Sequence, residues 1–242
     1  MRLFPQHWAG WLFLLMAAAW AGEPGVPAVP ASTNLPAFQR VGEGVFALGQ
    51  VRLDKNKSTV SFPGVVNMNA GAIEYALVGS NGKIHESLLR TDVEPMQVHT
   101  AMLLLGVKDS TPRLAPGQVP PAPRGDEILI WFEWEAQGAR QRVRIEDCIR
   151  NTESGKIMPR GPWIYNGSRL VNGQFLAQTL LSFVAVMEDS DALVNNPRAG
   201  HENDKIWVAE AKPTPEPGTA VTVVFEWAKK PAGEAKPAGT VK

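Results

Sequence analysis

The chain is poor in cysteine: Cys148 is the only one in 242 residues. One thiol closes no intrachain disulfide, and it cannot supply the four thiolates of an all-Cys iron–sulfur cluster. An excess of either charge is also lacking, since 24 Lys and Arg face 24 Asp and Glu. No basic stripe stands out, so the electrostatic footprint of a nucleic-acid binder is missing. Nor does the chain carry a Gly-x-Ser-x-Gly elbow, a phosphate loop, a His-Glu-x-x-His pair or a dinucleotide fingerprint. Stability must then come from a core, and an ordered part of about 190 residues is ample for one domain.

The ends read as separate from that domain. Met1 to Ala21 has a charge at Arg2, an apolar run from Trp8 to Ala19 and a small-x-small close at Ala19-Trp20-Ala21. The run falls short of the about 20 residues of a membrane span and fits a secretory signal cleaved after Ala21. The expected location is therefore periplasmic or extracellular, with no membrane insertion after cleavage. No Cys follows the run, which argues against a lipid anchor. Loss of Arg2 leaves one fewer basic than acidic side chain, a net charge of about −1. Residues 22–37 form a Pro-rich linker and 228–242 a tail of disorder-prone composition, leaving 38–227 as the single domain.

Within it, Val45 to Val66 reads as strand, turn at Asp54–Ser58, strand. The next stretch, Ala72 to Lys108, organises the rest. Asn81-Gly82 is a hairpin signal because a type I′ turn needs positive φ at both central residues. The implied antiparallel register turns Glu86 inward with Tyr75, Leu77, Ile84 and Leu88, and sends His85 to the opposite face. Capping-box spacing at Thr91-Asp92-Val93-Glu94, followed by Pro95, predicts a helix that stops at Gly106. Its Ala101–Leu105 end is apolar all round, which predicts burial on several sides. Asp109 to Asp126 carries five prolines and reads as a long surface loop. Further hairpins are expected about Gln137-Gly138 and Asn172-Gly173, one or two helical turns over Glu188–Pro197, and last strands at Ile206–Ala209 and Ala220–Trp227. With about ten strands and one convincing helix, the fold class is α+β. It is mainly antiparallel β, with one short buried helix after the central hairpin; an all-β sandwich is the alternative.

Three constellations could carry chemistry. His85, Glu86 and His99 combine a carboxylate on an apolar face, whose proton affinity burial would raise, with histidines suited to proton transfer or an open metal site. The plainer reading is Glu86 paired with an Arg and His85 on the surface. Arg160, Trp163 and Tyr165, on the stiff loop MPRGPWIY, could stack on and bond a small anionic or sugar-like ligand, or Trp163 could plug the core. Asp189, Asp191 and Asn195 offer the hard oxygens calcium prefers, without EF-hand spacing; a solvated turn is the plainer reading. Cys148 reads as a buried structural thiol.

Two blocks of words carry a resemblance: FPGVVNMNAGAIEYALV with GKIHESLLRTDVEPMQVHTAMLLLG, then RIEDCIRN, MPRGPWIYNGSR, FLAQ and DALVNNP ahead of DKIW. On these the chain resembles the YdjY-like family of bacterial exported proteins, across most of 51–207. The resemblance implies an extracytoplasmic domain and supports reading the two blocks as one unit. It brings no established reaction and no catalytic residues. The expected function is an exported, non-enzymatic binding or accessory domain for an unidentified small ligand or exported protein partner. A hydrolase or metal-dependent enzyme built on Glu86 with His85 and His99 is the alternative. No cofactor is expected; calcium is the one metal the loop residues suggest.

Overall fold

The computed structural model describes residues 35–109 and 123–228. The signal segment, most of the linker, residues 110–122 of the Pro-rich loop and the tail from 229 lie outside them. The chain opens with β1 (Phe38–Gly42), β2 (Val45–Leu48), β3 (Val51–Asp54) and β4 (Thr59–Val66), followed by β5 (Tyr75–Gly79), β6 (Ser87–Thr91) and helix α1 (Pro95–Leu105). Next come β7 (Asp126–Ala136), β8 (Ala139–Arg144), β9 (Ile149–Asn151), β10 (Trp163–Tyr165), β11 (Leu170–Val171) and β12 (Gln174–Phe175). A one-turn helix α2 (Leu176–Leu180), β13 (Ser182–Ala185), β14 (Val194–Asn195), β15 (Trp207–Ala209) and β16 (Ala220–Trp227) complete it.

The domain is mostly β with few helices, as expected, but its sheet is neither open nor a sandwich. Following hydrogen-bonded neighbours from β4 gives β16, β7, β10, β14, β13, β5, β6 and then β4 again. Eight strands thus close into a barrel, which leaves none of them as a free edge within the ring. Closure falls at the far end of β4. Its first half pairs with β3, and its last two residues pair with β6, Val65 with Arg90 and Val66 with Leu89. Gly64 stands at the change of partner, where a Cβ would come within 3.2 Å of the Arg90 carbonyl. Strand alternation fills the interior with Val60, Phe62, Val223, Phe225, Ile130 and Phe132, all essentially inaccessible to solvent. Phe62 meets Phe183 and Phe225 at ring separations of 6.0 and 5.4 Å.

The expected central hairpin is absent. β5 and β6 run parallel, with Tyr75 opposite Ser87 and Gly79 opposite Thr91. Seven residues, Ser80 to Glu86, carry the chain back along the strand, and a 3-10 turn at Ile84–Glu86 delivers it to β6. Seven extended residues reach at most about 25 Å, which exceeds the roughly 16 Å length of a five-residue strand. Neither Asn81 nor Gly82 adopts positive φ, whereas Gln137-Gly138 (53° and 74°) and Asn172-Gly173 (51° and 78°) do, and both of those form hairpins. Gly82 serves close packing instead: a Cβ there would lie 3.1 Å from the Gly79 carbonyl and 3.2 Å from Leu181 Cβ.

Three smaller expectations also change. Helix α1 occupies the expected span and ends at Gly106 in the left-handed region, but its N-cap Glu94 makes no side-chain capping bond. Its end is not buried on all sides, because Leu103 and Leu104 are each 44% exposed. Glu188–Pro197 forms no helix: Asp189 Oδ1 accepts the Asp191 amide in an Asx turn, and the chain then enters β14, parallel to β13.

Candidate functional site

The parallel arrangement relocates Glu86. It sits in the 3-10 turn rather than on a greasy strand face, its side chain 19% exposed, 3.4 Å from Lys83 and 3.5 Å from the exposed His85. His85 and Glu86 therefore do approach, against the opposite-face expectation, because a tight turn does not alternate as a strand does. Lys83 Nζ also reaches Glu74 at 3.9 Å and donates to the Tyr75 hydroxyl at 3.2 Å; that hydroxyl donates to Asp189 at 2.9 Å. Burial, then the neighbouring Glu86 charge, raises the Glu74 carboxyl above its ordinary range. Burial and Asp189 likewise push the Tyr75 phenol up.

His99 does not join this group. Helix α1 aims it at the barrel wall, where Nδ1 lies 2.8 Å from the Tyr165 hydroxyl and Nε2 lies 3.6 Å from Asp109. Its ring packs against Phe175 at 4.9 Å. Burial lowers its proton affinity, and Asp109 partly opposes that shift. Tyr165 is fully buried, and burial raises its phenol well above the usual value.

The MPRGPWIY loop divides its roles. Trp163 and Tyr165 are sealed in the core, so neither presents a stacking face to a ligand. Arg160 points outward and is held at both ends of the Asp147 carboxylate, at 2.7 and 2.6 Å. Beneath the loop lies a buried ion triad with no counterpart among the sequence candidates. Glu146 is inaccessible and takes bonds from Arg144, from Arg198 at 2.9 Å and from the Gly161 amide at 3.2 Å. Both guanidiniums also bond the Gly161 carbonyl, at 2.7 and 2.9 Å, and Arg198 stacks 5.0 Å above Trp163. The triad locks the loop to the barrel. Cys148 nearby is buried, and burial pushes its thiol up to about 12.

The oxygens considered for calcium serve the fold. Asp191 pairs with Arg169, and Asp189 accepts from Tyr75 and from the Asp191 amide. Asn195 bonds the Asp189 amide and carbonyl and Asn166, each at 2.8 Å. Among the described residues, no group of three or more His, Cys, Asp or Glu is placed to hold a metal ion.

A concave feature with convergent polar groups lies elsewhere, on the outer face of β3, β4, β16, β7 and β8. The alternation that sends apolar residues inward sends their neighbours out. One row reads Arg52, Ser61, Val224, Trp131, Arg144; the next reads Pro63, Thr222, Glu133, Arg142. Thr59, Ser61, Thr222 and Val224 make a floor of short side chains. Arg52, Asp54 and Lys57 stand on one side, and Glu133, Arg140, Arg142 and Glu226 on the other. The trough holds about 780 Å³, and a second depression of about 400 Å³, bordered by Trp134, shares Glu133, Arg140 and Thr222 with it. Arg140 and Arg142 both pair with Glu133, Arg142 also reaches Glu226 at 3.2 Å, and its guanidinium lies 4.2 Å over Trp131. Asp54 accepts the amides of Asn56 and Lys57. The exposed Arg52 and Lys57 have no ion-pair partner among the described residues.

A model described as a YdjY domain matches residues 51–226. No curated protein and no solved structure matches the chain.

Proposed function

The chain belongs to the YdjY domain family, and from that premise we propose that it is an exported, non-enzymatic binding or accessory domain whose ligand lies in the outer-face trough. The observation that carries this reading is the trough itself. It is a concave floor of small hydroxyl-bearing residues on the outer face of the sheet, walled by charged groups, two of which have no ion-pair partner among the described residues. Its volume falls within the roughly 300–1,000 Å³ usual for small-ligand sites. A rigid sheet holds such groups in place without a conformational step. The charged, apolar and small-residue succession of Met1–Ala21 supports export.

The test is a thermal-shift panel of polar metabolites and sugars against three forms: the chain from Gly22 onward, Thr222→Trp, which fills the floor, and Glu86→Gln. The reading expects stabilisation by at least one class of compound, lost in Thr222→Trp and kept in Glu86→Gln. Retention in Thr222→Trp would reject the trough.

A second reading, a hydrolase, draws on one specific observation. Glu74 and Glu86 both stand against Lys83, with His85 beside Glu86, and burial with the neighbouring Glu86 charge raises the Glu74 carboxyl above its ordinary range. A carboxyl with raised proton affinity next to a second carboxyl group suits acid–base work. Turnover of an ester or glycoside abolished by both Glu74→Gln and Glu86→Gln would favour it over binding alone.

A further inference from the structure

Resting on the trough as the ligand site, we infer that its ligand is an acidic sugar chain, with hydroxyl-bearing units that carry carboxylates. Arg52 and Lys57 are exposed donors without a carboxylate partner among the described residues, and they suit an anion. Glu133, Glu226 and Asp54 line the same space. Arg140, Arg142 and the Asn56 and Lys57 amides occupy part of their acceptor capacity; an ionised carboxylate has about four acceptor positions and donates none, so the rest can take only donors on the ligand. Thr59, Ser61 and Thr222, on the floor between, can do either. A uronic-acid unit presents a carboxylate to the cations and hydroxyls to the carboxylates at once.

Rival chemistries meet only half of the lining. A polyphosphate or nucleic-acid backbone offers negative charge but no donors for the carboxylates, and the ring of Trp131 that could stack a base is covered by Arg142 at 4.2 Å. A neutral glucan satisfies the carboxylates and leaves Arg52 and Lys57 unanswered. An extended peptide finds no free strand edge on the floor, because β4 and β16 are each paired on both sides. The space suits a short chain. The walls on β3 and β7 stand three strand spacings apart, about 14 Å. The smaller depression continues the trough toward Trp134.

Calorimetric titration with three probes tests this: trigalacturonate; its full methyl ester, which keeps the ring hydroxyls and loses the charge; and tripolyphosphate, which keeps charge and lacks hydroxyls. The inference expects trigalacturonate to bind at least about tenfold more tightly than either of the others. Rising salt should weaken it, and Arg52→Ala with Lys57→Ala should lower its affinity by a similar factor. Equal binding of the methyl ester or of tripolyphosphate overturns the ligand class, as does no binding of trigalacturonate. If these failures occur while Thr222→Trp still abolishes capture of another compound, the trough stands and only its ligand changes. Trigalacturonate binding untouched by Thr222→Trp overturns the trough as well.

Discussion

At the scale of single residues, the two most consequential positions escaped notice in the sequence because their neighbours in space are far along the chain. Glu146 looks like one of several charges in RVRIED, yet it is buried between Arg144 and Arg198, the latter 52 positions away. A buried charge is tolerated only while it is paired. Glu146→Gln removes the negative member and leaves two guanidiniums facing each other in a poorly solvated space. It should lower unfolding stability by about 3 kcal/mol. A urea titration reads this as a fall in midpoint at an unchanged slope. A loss under about 1 kcal/mol would mean that the triad is solvated rather than structural. Gly125 is the other position: φ is +155°, and a Cβ would fall 1.8 Å from the Tyr165 carbonyl. Before the fold is known, nothing distinguishes this glycine from others in a Pro-rich loop.

At the scale of elements, helix α1 is attached to the barrel through His99, whose partners are Tyr165, Asp109 and Phe175. Burial holds this imidazole neutral, so its folded proton affinity lies below that of the unfolded chain. The stabilisation is present above the ordinary histidine range and is lost as pH falls below about 6.5. The midpoint of thermal unfolding should therefore fall between about pH 7 and pH 5.5 more steeply in the native chain than in His99→Gln. The glutamine can still accept from Tyr165 but does not titrate, and taking the difference cancels the other histidines. Equal slopes would show that His99 does not govern this attachment. The helix itself was legible, because Pro95 at its start and Gly106 at its end act locally. So were the turns at Gln137-Gly138 and Asn172-Gly173. Asn81-Gly82 misled because glycine has two uses. At Gly82 the missing side chain makes room for Leu181, a contact 99 positions distant that no local rule encodes.

At the scale of the whole molecule, the β-rich character could be read from alternation and composition, but closure could not. Barrel closure depends on β4 changing partner at Gly64 and on two parallel pairings, each set by packing rather than by turns. The trough lies where β3 and β8 extend the sheet beyond the ring. The similar segments EILIWFEWEA and AVTVVFEWAK, too short to mark a repeat, lie side by side as β7 and β16, with Glu133 and Glu226 turned to the same outer face. Read singly, these polar positions look like a solvated strand face; only the five-strand assembly makes them walls. The sequence instead points to His85, Glu86 and His99, and to Arg160 with Trp163, as site residues. The fold distributes them among a surface turn, the helix–barrel seam and the core.

The claim that the trough is the ligand surface is met most directly by amide chemical-shift mapping of the chain during titration with trigalacturonate. The expected outcome is a saturating set of shifts confined to Arg52–Ser61, Glu133–Arg142 and Thr222–Glu226, absent in Thr222→Trp. Shifts centred instead on Glu74, Lys83 and Glu86, or on His99 and Tyr165, would contradict it.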